Sequence, residues 1–336
     1  MKQSGLFDLE FRLHKIDKNG DPLKRLNQLI DWEAFHPILK EIRKKDKKSK
    51  AGRKPFDSVL MFKILILQSL YNLSDDATEA HILDRLSFMR FLGLTIGDRV
   101  PDSKTIWLFR EQLQESGILE KLFTHFDDFL RQHGFEARRG QIVDASIVSV
   151  SKQRNTRSEN KKIKSGEEIP EWNDLKRRQK DTEARWTKKN GKFYYGYKNH
   201  ISIDVKHKFV RKFSVTSASV HDSQVFKELL DDQNTSGAVW ADSAYRSMKN
   251  LVHLGLNCYR EHIQRKGSRN RKLTTREKQG NRTRSRIRSR IEHVFGVQAQ
   301  KAGNLILRTI GIRRAWIKIG LRDLAYNLDR YSILAS

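Results

Sequence analysis

The sequence predicts a two-part protein, with a mostly helical segment over residues 1–135 followed by a mixed α/β domain over residues 136–336. Apolar residues recur at helical spacing through the first part, whereas β-rich runs begin just after Gly140 and alternate with helical segments. A length of 336 residues also favours about two domains rather than one. The predicted fold class is therefore α/β, preceded by an all-helical region.

The first part is predicted to form several short helices. Leu23, Leu26 and Ile30 recur at helical spacing, and the longest apolar run of the chain, residues 59–73, predicts a buried helix. This run is too short to cross a bilayer, which needs about 20 apolar residues. Short helices joined by capped turns are typical of a helix-turn-helix DNA-binding module, although an ordinary helical bundle has the same pattern.

The charge of the chain predicts a polyanionic partner. There are 67 Lys and Arg residues against 40 Asp and Glu residues, a formal net charge of +27, and nucleic acid is the usual partner of such a surplus. Much of it lies in residues 40–54, predicted as a linker, in residues 152–192 and in residues 260–290. The single cysteine, Cys258, and an N-terminus without an apolar leader predict a cytoplasmic, nucleoid-associated protein that does not enter a membrane.

Strands and helices are predicted to alternate through the second part. In chain order they are a strand over residues 141–148, a basic insertion or mobile loop over 152–192, a hairpin over 193–205 and 209–217, a helix over 220–230, a strand over 238–242, a short helix over 247–254, a strand over 256–262 and a long helix that carries Ile287, Ile291 and Val294. This order predicts helices packed on a sheet. It matches the order of a ribonuclease-H-like domain.

Three acidic residues stand out by their surroundings. Asp144 lies inside an apolar strand, Asp242 ends another strand, and Glu292 lies on the long helix four residues after Arg288. Carboxylates are rarely buried unless they are paired or bound to metal. If the three converge, two divalent ions about 3.5–4 Å apart would relieve their repulsion and would suit phosphoryl transfer. Carboxylate oxygens favour Mg²⁺ or Mn²⁺, although each acid alone has a simpler role as a cap or an ion-pair partner.

Several short motifs together point to one family. They are Pro101–Trp107 with Phe109 and Arg110, Gly140–Ala145, Tyr194 to Lys198 with His200, Val220–Ser223, Ala241–Tyr245, and Arg288 with Ile291, Glu292, Phe295 and Gly296. On these motifs the chain resembles bacterial insertion-sequence transposases with a DDE active site, in the branch named after the fifth insertion sequence. The resemblance covers most of the chain, from about residue 54 to residue 327.

The resemblance implies metal-binding and catalytic roles for Asp144, Asp242 and Glu292, with two Mg²⁺ or Mn²⁺ ions at each active site. The C-terminal signature of this branch is Tyr-x2-Arg-x3-Glu-x6-Lys. Counted from Glu292, Arg288 is in place, whereas Ser285 holds the tyrosine position and Ala299 holds the lysine position. Lys301 follows the lysine position by two residues and is a candidate substitute.

Further candidates lie within the same motifs and the basic stretch that leads to Glu292. Arg288 is expected to contact a phosphate near the cleavage point, because it lies one helical turn before Glu292. The predicted DNA-binding residues are Arg288, Lys301, Lys198, Arg284 and Lys104. The candidates for a supporting role beside the acids are His200 and His221, although a cap is the simpler role for His221.

The resemblance implies a DNA transposase that binds the terminal inverted repeats of its element with its helical region. It would cleave at the ends and join the freed 3′-hydroxyl to target DNA, acting as a homodimer or a larger assembly. A related metal-dependent nuclease and a DNA-binding protein derived from a transposase remain alternatives. A tyrosine recombinase is a further one, because His262 and Arg265 have the spacing of that class and Tyr331 lies downstream.

Overall fold

A computed structural model describes residues 7–43, 54–303 and 305–335. Most of the basic linker that the sequence predicts over residues 40–54 lies outside these described residues. Among the described residues, no helix combines the length and the apolar character that crossing a membrane requires.

The chain divides into two compact units. One unit holds residues 1–130 together with 321–336, and the other holds residues 131–320. The sequence places the boundary a few residues later, at 135, and assigns the whole C-terminal part to the second domain. The structure instead returns the last residues to the first unit, because the final helix begins in one unit and ends in the other.

The first unit is helical over most of the residues that the structure describes. Its helices are α1 (Asp8–Lys18), α2 (Pro22–Leu29), α3 (His36–Leu39), α4 (Ser58–Tyr71), α5 (Asp75–Asp84), α6 (Leu86–Leu92), α7 (Ser103–Ser116) and α8 (Leu119–Gln132). The predicted buried helix is confirmed as α4, since residues from Ser58 to Gln68 are largely inaccessible to solvent. The Asp57 side chain caps its first turn, and Asn72 ends it in a left-handed conformation.

Polar residues inside the first unit are satisfied by one another. Arg110 on α7 donates to both carboxylate oxygens of Asp75, at 2.7 and 2.8 Å, and to Gln68 Oε1 at 2.8 Å. The Lys63 ammonium, within the apolar helix α4, donates to Asn27 Oδ1 at 2.9 Å, and burial lowers the Lys63 pKa to about 8. Buried polar groups that find such partners fix the packing of the helices around them.

The second unit is built on a mixed sheet. Its strands are β1 (Gln141–Val150), β2 (Arg185–Lys189), β3 (Lys192–Asp204), β4 (Val210–Ser217), β5 (Ala238–Ala241), β6 (Arg260–Ile263) and β7 (Ile306–Leu307). The strand order is β2-β3-β1-β5-β6, with β4 paired to β3 and β7 paired to β1. Strand β3 is antiparallel to β1, β2 and β4. Strands β5 and β7 run parallel to β1, and β6 runs parallel to β5. The predicted α/β sheet is therefore confirmed, and its order fits a ribonuclease-H-like domain.

Helices cover the sheet and complete the second unit. They are α9 (Arg157–Ser165), α10 (Asp174–Gln179), α11 (Met248–Leu256), α12 (Thr275–Arg288), α13 (Arg290–Ala302) and the first part of α14 (Ile312–Leu334). The single long helix that the sequence predicts is broken at Ser289 into α12 and α13. The predicted helix over residues 220–230 is two short 3₁₀ turns instead, Asp222–Gln224 and Phe226–Leu229.

Of the two alternatives that the sequence leaves open for residues 152–192, an insertion or a mobile loop, the structure shows an insertion with two helices and strand β2. Glu159 holds it together by accepting hydrogen bonds from Trp172 Nε1 at 2.6 Å, from Lys176 Nζ at 2.8 Å and from the Thr156 amide at 2.7 Å. The buried Asp181 carboxylate accepts from the Tyr197 hydroxyl on β3, which anchors the insertion to the sheet. Because these contacts are polar, the segment has no hydrophobic periodicity, which explains why the sequence does not indicate the helices and strand within it.

Strand β1 begins where two backbones approach closely. Gly140 has a φ of +89°, and a Cβ atom there would lie 2.4 Å from the Ala238 carbonyl oxygen. The strand then alternates between faces: Val143 packs in a core cluster with Phe226, Val239 and Ile263, so the neighbouring Asp144 faces the other side of the sheet.

Candidate active site

Two of the predicted acids lie side by side at one edge of the sheet. Val143 on β1 pairs in parallel register with Ala241 on β5. Asp144 directly follows Val143, and Asp242 directly follows Ala241. Residues in register on neighbouring strands share a face, so both carboxylates lie on the side that α12 and α13 cover. Asp242 also caps the following turn by accepting a hydrogen bond from the Ala244 amide at 2.8 Å.

Burial and neighbouring charges shift the titration of the Asp144 carboxyl group. Burial raises the pKa of Asp144, and the neighbouring Asp242 charge raises it further. The Ala145 amide and the Arg288 guanidinium act in the opposite direction but do not cancel the burial effect. The Asp144 side chain is only 15% exposed, so its access to solvent and to dissolved ions is limited.

Arg288 joins the first acid to the third. Its Nη1 donates to Asp144 Oδ2 at 2.5 Å, and its Nη2 donates to Glu292 Oε1 at 3.0 Å. Arg288 is the last residue of α12 and Glu292 lies in the first turn of α13, so the break at Ser289 falls between them. Glu292 remains 62% exposed, which leaves its second oxygen accessible from solvent.

Comparison with known proteins identifies this domain. The family described as "Transposase DDE domain" matches residues 136–328, which is more than half of the chain. The chain belongs to the transposase DDE domain family. A second family, described as "Transposase domain (DUF772)", matches residues 11–112 of the helical unit. One solved structure, "Cryo-EM structure of piggyBac transposase synaptic complex with hairpin DNA", has 13% identity and a TM-score of 0.41 over 94% of this chain and 76% of that chain, a likeness too weak to carry an argument.

Membership of the DDE domain family implies dependence on a divalent metal, and the donor chemistry of the site fits one. Asp144 and Asp242 present hard carboxylate oxygens that suit Mg²⁺ or Mn²⁺. Within the described part of the chain, however, no three His, Cys, Asp or Glu side chains are grouped closely enough to hold an ion. The Arg288 guanidinium is hydrogen-bonded to both Asp144 and Glu292. For these two carboxylates to bind a metal ion together, Arg288 would have to release them.

Tyr245 in the DDE domain is a buried residue to which the sequence assigns no role. It lies at the end of the turn that follows Asp242 and is fully inaccessible to solvent. Burial raises the pKa of its phenol well above the ordinary value, and the charges of Asp144, Asp222 and Asp242 act in the same direction. The phenol therefore lies near the candidate acids and a fourth carboxylate, Asp222, and stays neutral.

A second polar cluster lies on the opposite face of the sheet from Asp144. Lys198 Nζ donates to Asp222 Oδ1 and to the Val220 carbonyl, both at 2.7 Å. His200 Nδ1 is 4.0 Å from the same Asp222 oxygen, and its Nε2 is 2.9 Å from Thr216 Oγ1. Burial lowers the His200 pKa to about 4, so the ring is neutral at physiological pH.

The register shows why these side chains do not reach the acids directly. His200 pairs with Ala145 and Lys198 pairs with Ile147, and both positions on β1 alternate with Asp144. His200 was predicted beside the acids, but the structure places it beside Asp222. Lys198, predicted to bind DNA, has its ammonium engaged by Asp222 and a backbone carbonyl.

Asn250 connects the two clusters through the backbone. This buried side chain on α11 donates from Nδ2 to the Ser223 carbonyl at 3.0 Å and to the Tyr245 carbonyl at 2.9 Å. It therefore ties the turn that carries Asp222 to the turn that follows Asp242. The sequence alone assigns this residue no role. The available signal was an amide four residues before the buried Leu254 on the same helical face.

The remaining predicted residues lie at separate places. His221 is exposed and caps the turn that begins at Asp222, where its Nδ1 is 2.8 Å from Ser223 Oγ. Lys301 is exposed in the last turn of α13, and Arg284 is on α12, where its charge helps to lower the pKa of His262 after burial. Lys104 is exposed in the first turn of α7, in the helical unit.

Proposed function

We propose that this protein is a DNA transposase that cleaves at the ends of its element and joins the freed 3′-hydroxyl to target DNA. Asp144, Asp242 and Glu292 are its catalytic residues and bind two Mg²⁺ or Mn²⁺ ions. The observation that carries this proposal is the register of β1 and β5, which places Asp144 beside Asp242 within a DDE domain. A pair of adjacent carboxylates is costly unless a cation compensates it.

Bound divalent ions would supply the activation of water or of the 3′-hydroxyl and the stabilisation of the leaving oxygen. The chain itself supplies the arrangement around them. Asp144 is held in a partly buried position and has a raised pKa, so its ionised form gains from a nearby cation. Arg288 balances that charge in the structure by donating a hydrogen bond to Asp144. When DNA enters, the Arg288 guanidinium would exchange this carboxylate for a DNA phosphate.

The positive charge of the chain would hold the DNA around this acidic centre. We propose phosphate contacts for Arg288, Arg284 and Lys301 in the DDE domain and for Lys104 in the helical unit, which would recognise the terminal inverted repeats. For Lys198 we propose instead a positioning role, because its ammonium is bound to Asp222. Pairing of two element ends would use a homodimer or a larger assembly, in the cytoplasm and on the nucleoid.

The closest competing function is a metal-dependent nuclease that cuts DNA without joining it. A tyrosine recombinase would instead use Tyr331 as its nucleophile, assisted by His262 and Arg265. Tyr331 is only 5% exposed, and the His262 ring stacks on Trp240 with 4.8 Å between centroids. The departures at Ser285 and Ala299 also leave membership of the branch named after the fifth insertion sequence as a proposal.

A strand-joining assay separates these functions. The substrate is a duplex that carries the inverted repeat flanking the gene, incubated with the protein, a supercoiled plasmid and Mg²⁺. We expect cleavage at the 3′ ends and covalent joining to the plasmid, both abolished by chelation of the metal. Cleavage without joining would identify a nuclease, and activity that survives chelation and leaves a protein–DNA link would identify a recombinase.

A further inference from the structure

A cationic cavity of about 370 Å³ adjoins the turn that follows Asp242. Its volume lies in the range of small-ligand sites, about 300–1,000 Å³, so it has room for part of a nucleotide as well as for a single anion. It is lined by five cationic side chains and one acid: Arg246, Arg265, Lys266, Arg271, Lys272 and Glu277.

The position of the cavity follows from the sheet. Strands β5 and β6 run parallel, with Ala241 opposite Ile263, and the Gln264 amide donates to the Ala241 carbonyl at 3.0 Å. Both strands therefore end at the same edge. Arg246 follows β5 four residues after Asp242, and Arg265 follows β6 directly after Gln264. The cavity thus lies at the edge of the sheet that carries the candidate catalytic acids.

The walls of the cavity are held in place by the first turns of α12. Arg265 Nη1 and Arg271 Nη2 both donate to Glu277 Oε1, at 3.3 and 3.0 Å. The Asn281 side chain accepts from the Arg265 amide at 2.9 Å and donates to the Arg265 carbonyl at 2.8 Å. This arrangement fixes the segment between β6 and α12.

The charge of the cavity is not balanced within the described structure. Glu277 is shared by two arginines, and Arg246 is hydrogen-bonded to Glu261. Lys266 and Lys272 are exposed and form no ion pair among the described residues. Five cations against two carboxylates leave a site that attracts a multiply charged anion or a phosphodiester.

We propose that this cavity binds a backbone phosphodiester of the DNA strand that enters the acidic site, with Lys266 and Lys272 as its principal contacts. The inference rests on the proposed function, because it takes the ligand of the cavity to be the DNA on which the neighbouring carboxylates act. The contact would fix the register of the strand at the site without reading its sequence.

The test measures DNA affinity without cleavage, by fluorescence anisotropy of a labelled duplex that carries the element end, with Ca²⁺ in place of Mg²⁺. The double variant Lys266→Ala/Lys272→Ala is compared with the parent and with Lys227→Ala/Lys249→Ala. The control lysines are also exposed and form no ion pair among the described residues, so the two variants lose the same charge. All four positions are on the surface, so folding should be unaffected.

We expect the cavity variant to bind about tenfold more weakly near 0.1 M salt, and its slope of log K against log salt to fall by about one, because the single phosphate contact that is lost contributes about 0.9 to that slope. The control should change affinity by less than about twofold. An equal loss in both variants would show a general charge effect and would overturn the proposal, as would parent-like binding by the cavity variant.

A second readout locates the contact on the DNA. Single methylphosphonate substitutions, which remove one phosphate charge at a time, are introduced near the cleavage point. In the parent, one or two positions should weaken binding; in the cavity variant the same substitutions should have no further effect, because the contact is already lost. Equal losses in both proteins would contradict a defined phosphate site. Tight binding of a free deoxynucleoside triphosphate, lost in the cavity variant and independent of DNA, would assign the cavity to a nucleotide instead.

These outcomes are separable from the fate of the proposed function. If the parent binds DNA through the cavity but joins no strands, the transposase proposal fails and the phosphodiester site stands. If the cavity variant binds DNA as the parent does while the parent joins strands normally, only the cavity proposal fails.

Discussion

Arg288 is hydrogen-bonded to Asp144 with 2.5 Å between Nη1 and Oδ2, although 144 residues separate them in the chain. The same guanidinium reaches Glu292 across the break between α12 and α13. Two of the three candidate catalytic acids are thus joined by one cation. We therefore propose that Arg288 couples the charge of the site to the approach of DNA.

Replacement of Arg288 should therefore impair strand joining more than the loss of one surface charge does. We expect Arg288→Ala to slow joining about 10- to 100-fold, because a charge-assisted hydrogen bond contributes about 1.5–3 kcal/mol. Arg288→Lys should recover only part of the rate, since an ammonium cannot contact two acceptors in one plane. Joining rates at saturating DNA are the measurement. Arg282→Ala, exposed on the same helix, is the control, and an equal effect in this variant would refute a specific role.

The pKa of Asp144 predicts how its replacement changes stability. Because burial raises this pKa in the folded state, ionisation at neutral pH opposes folding. Asp144 therefore contributes favourably to the free energy of folding below its pKa in the unfolded chain, and this contribution is lost as pH rises through its higher pKa in the folded protein. Asp144→Asn should therefore raise the melting temperature of the metal-free protein near pH 7, and the gain should shrink as pH falls through the raised pKa of Asp144 in the folded state. Thermal unfolding in the presence of a chelator tests this.

The pKa of Asp204 is shifted in the opposite direction to that of Asp144, which provides a comparison. Burial acts to raise its pKa, but hydrogen bonds from His207 and the charge of Arg211 together lower it below the ordinary value. Its stabilising contribution is present above the unfolded pKa and is lost as pH falls through the folded value. Asp204→Asn should therefore lower the melting temperature near pH 7. If both variants shift the melting temperature in the same direction, the assignment of these two environments is incorrect.

Asn250 is predicted to position the turn that follows Asp242. Asn250→Ala removes the donors to the Ser223 and Tyr245 carbonyls and should cost about 1–3 kcal/mol of stability. Strand joining should fall in the folded variant, measured well below its melting temperature, while DNA affinity stays near that of the parent. Asn257→Ala, at the exposed end of the same helix, is the matched control. Unchanged joining in folded Asn250→Ala would show that the residue is only structural.

Replacement of Lys198 tests whether this residue positions Asp222 or contacts DNA directly. Its ammonium is engaged by Asp222 and the Val220 carbonyl, so Lys198→Ala should lower the free energy of unfolding by about 1–3 kcal/mol. The salt dependence of DNA binding should stay that of the parent, because no phosphate contact is lost. Denaturant unfolding and anisotropy titrations measure the two effects. A slope that falls by about one would restore the DNA-binding role that the sequence predicts.

The sequence indicated those parts of the fold that follow local periodicity. Strand β1, the hairpin of β3 and β4, and the buried helix α4 were predicted close to their observed bounds, because their apolar patterns are strong. The helices and strand inside the insertion over residues 152–192 were not predicted, because Glu159 and Asp181 hold them through polar contacts. The turns over residues 222–229 were predicted as a helix because two large apolar residues occur at near-helical spacing.

The candidate site shows the same division. Asp144, Asp242 and Glu292 could be selected because acids in apolar surroundings are rare, and that is visible in a single chain. The contact between Arg288 and Asp144 and the bridging by Asn250 depend on which distant segments meet, which periodicity does not encode. The face on which His200 lies depends on strand register, and a shift of one residue would move it to the other side.

If the carboxylates beside Arg288 catalyse metal-dependent strand transfer, removal of one of them should abolish it. The most direct measurement is the rate of strand joining by Asp144→Asn with Mg²⁺, compared with the parent and with Asp232→Asn, which removes an exposed acid elsewhere in the same unit. We expect Asp144→Asn to bind the DNA end with parent affinity but neither to cleave nor to join it, while Asp232→Asn remains fully active. Cleavage and joining by Asp144→Asn at the parent rate would show that Asp144 is not a catalytic residue.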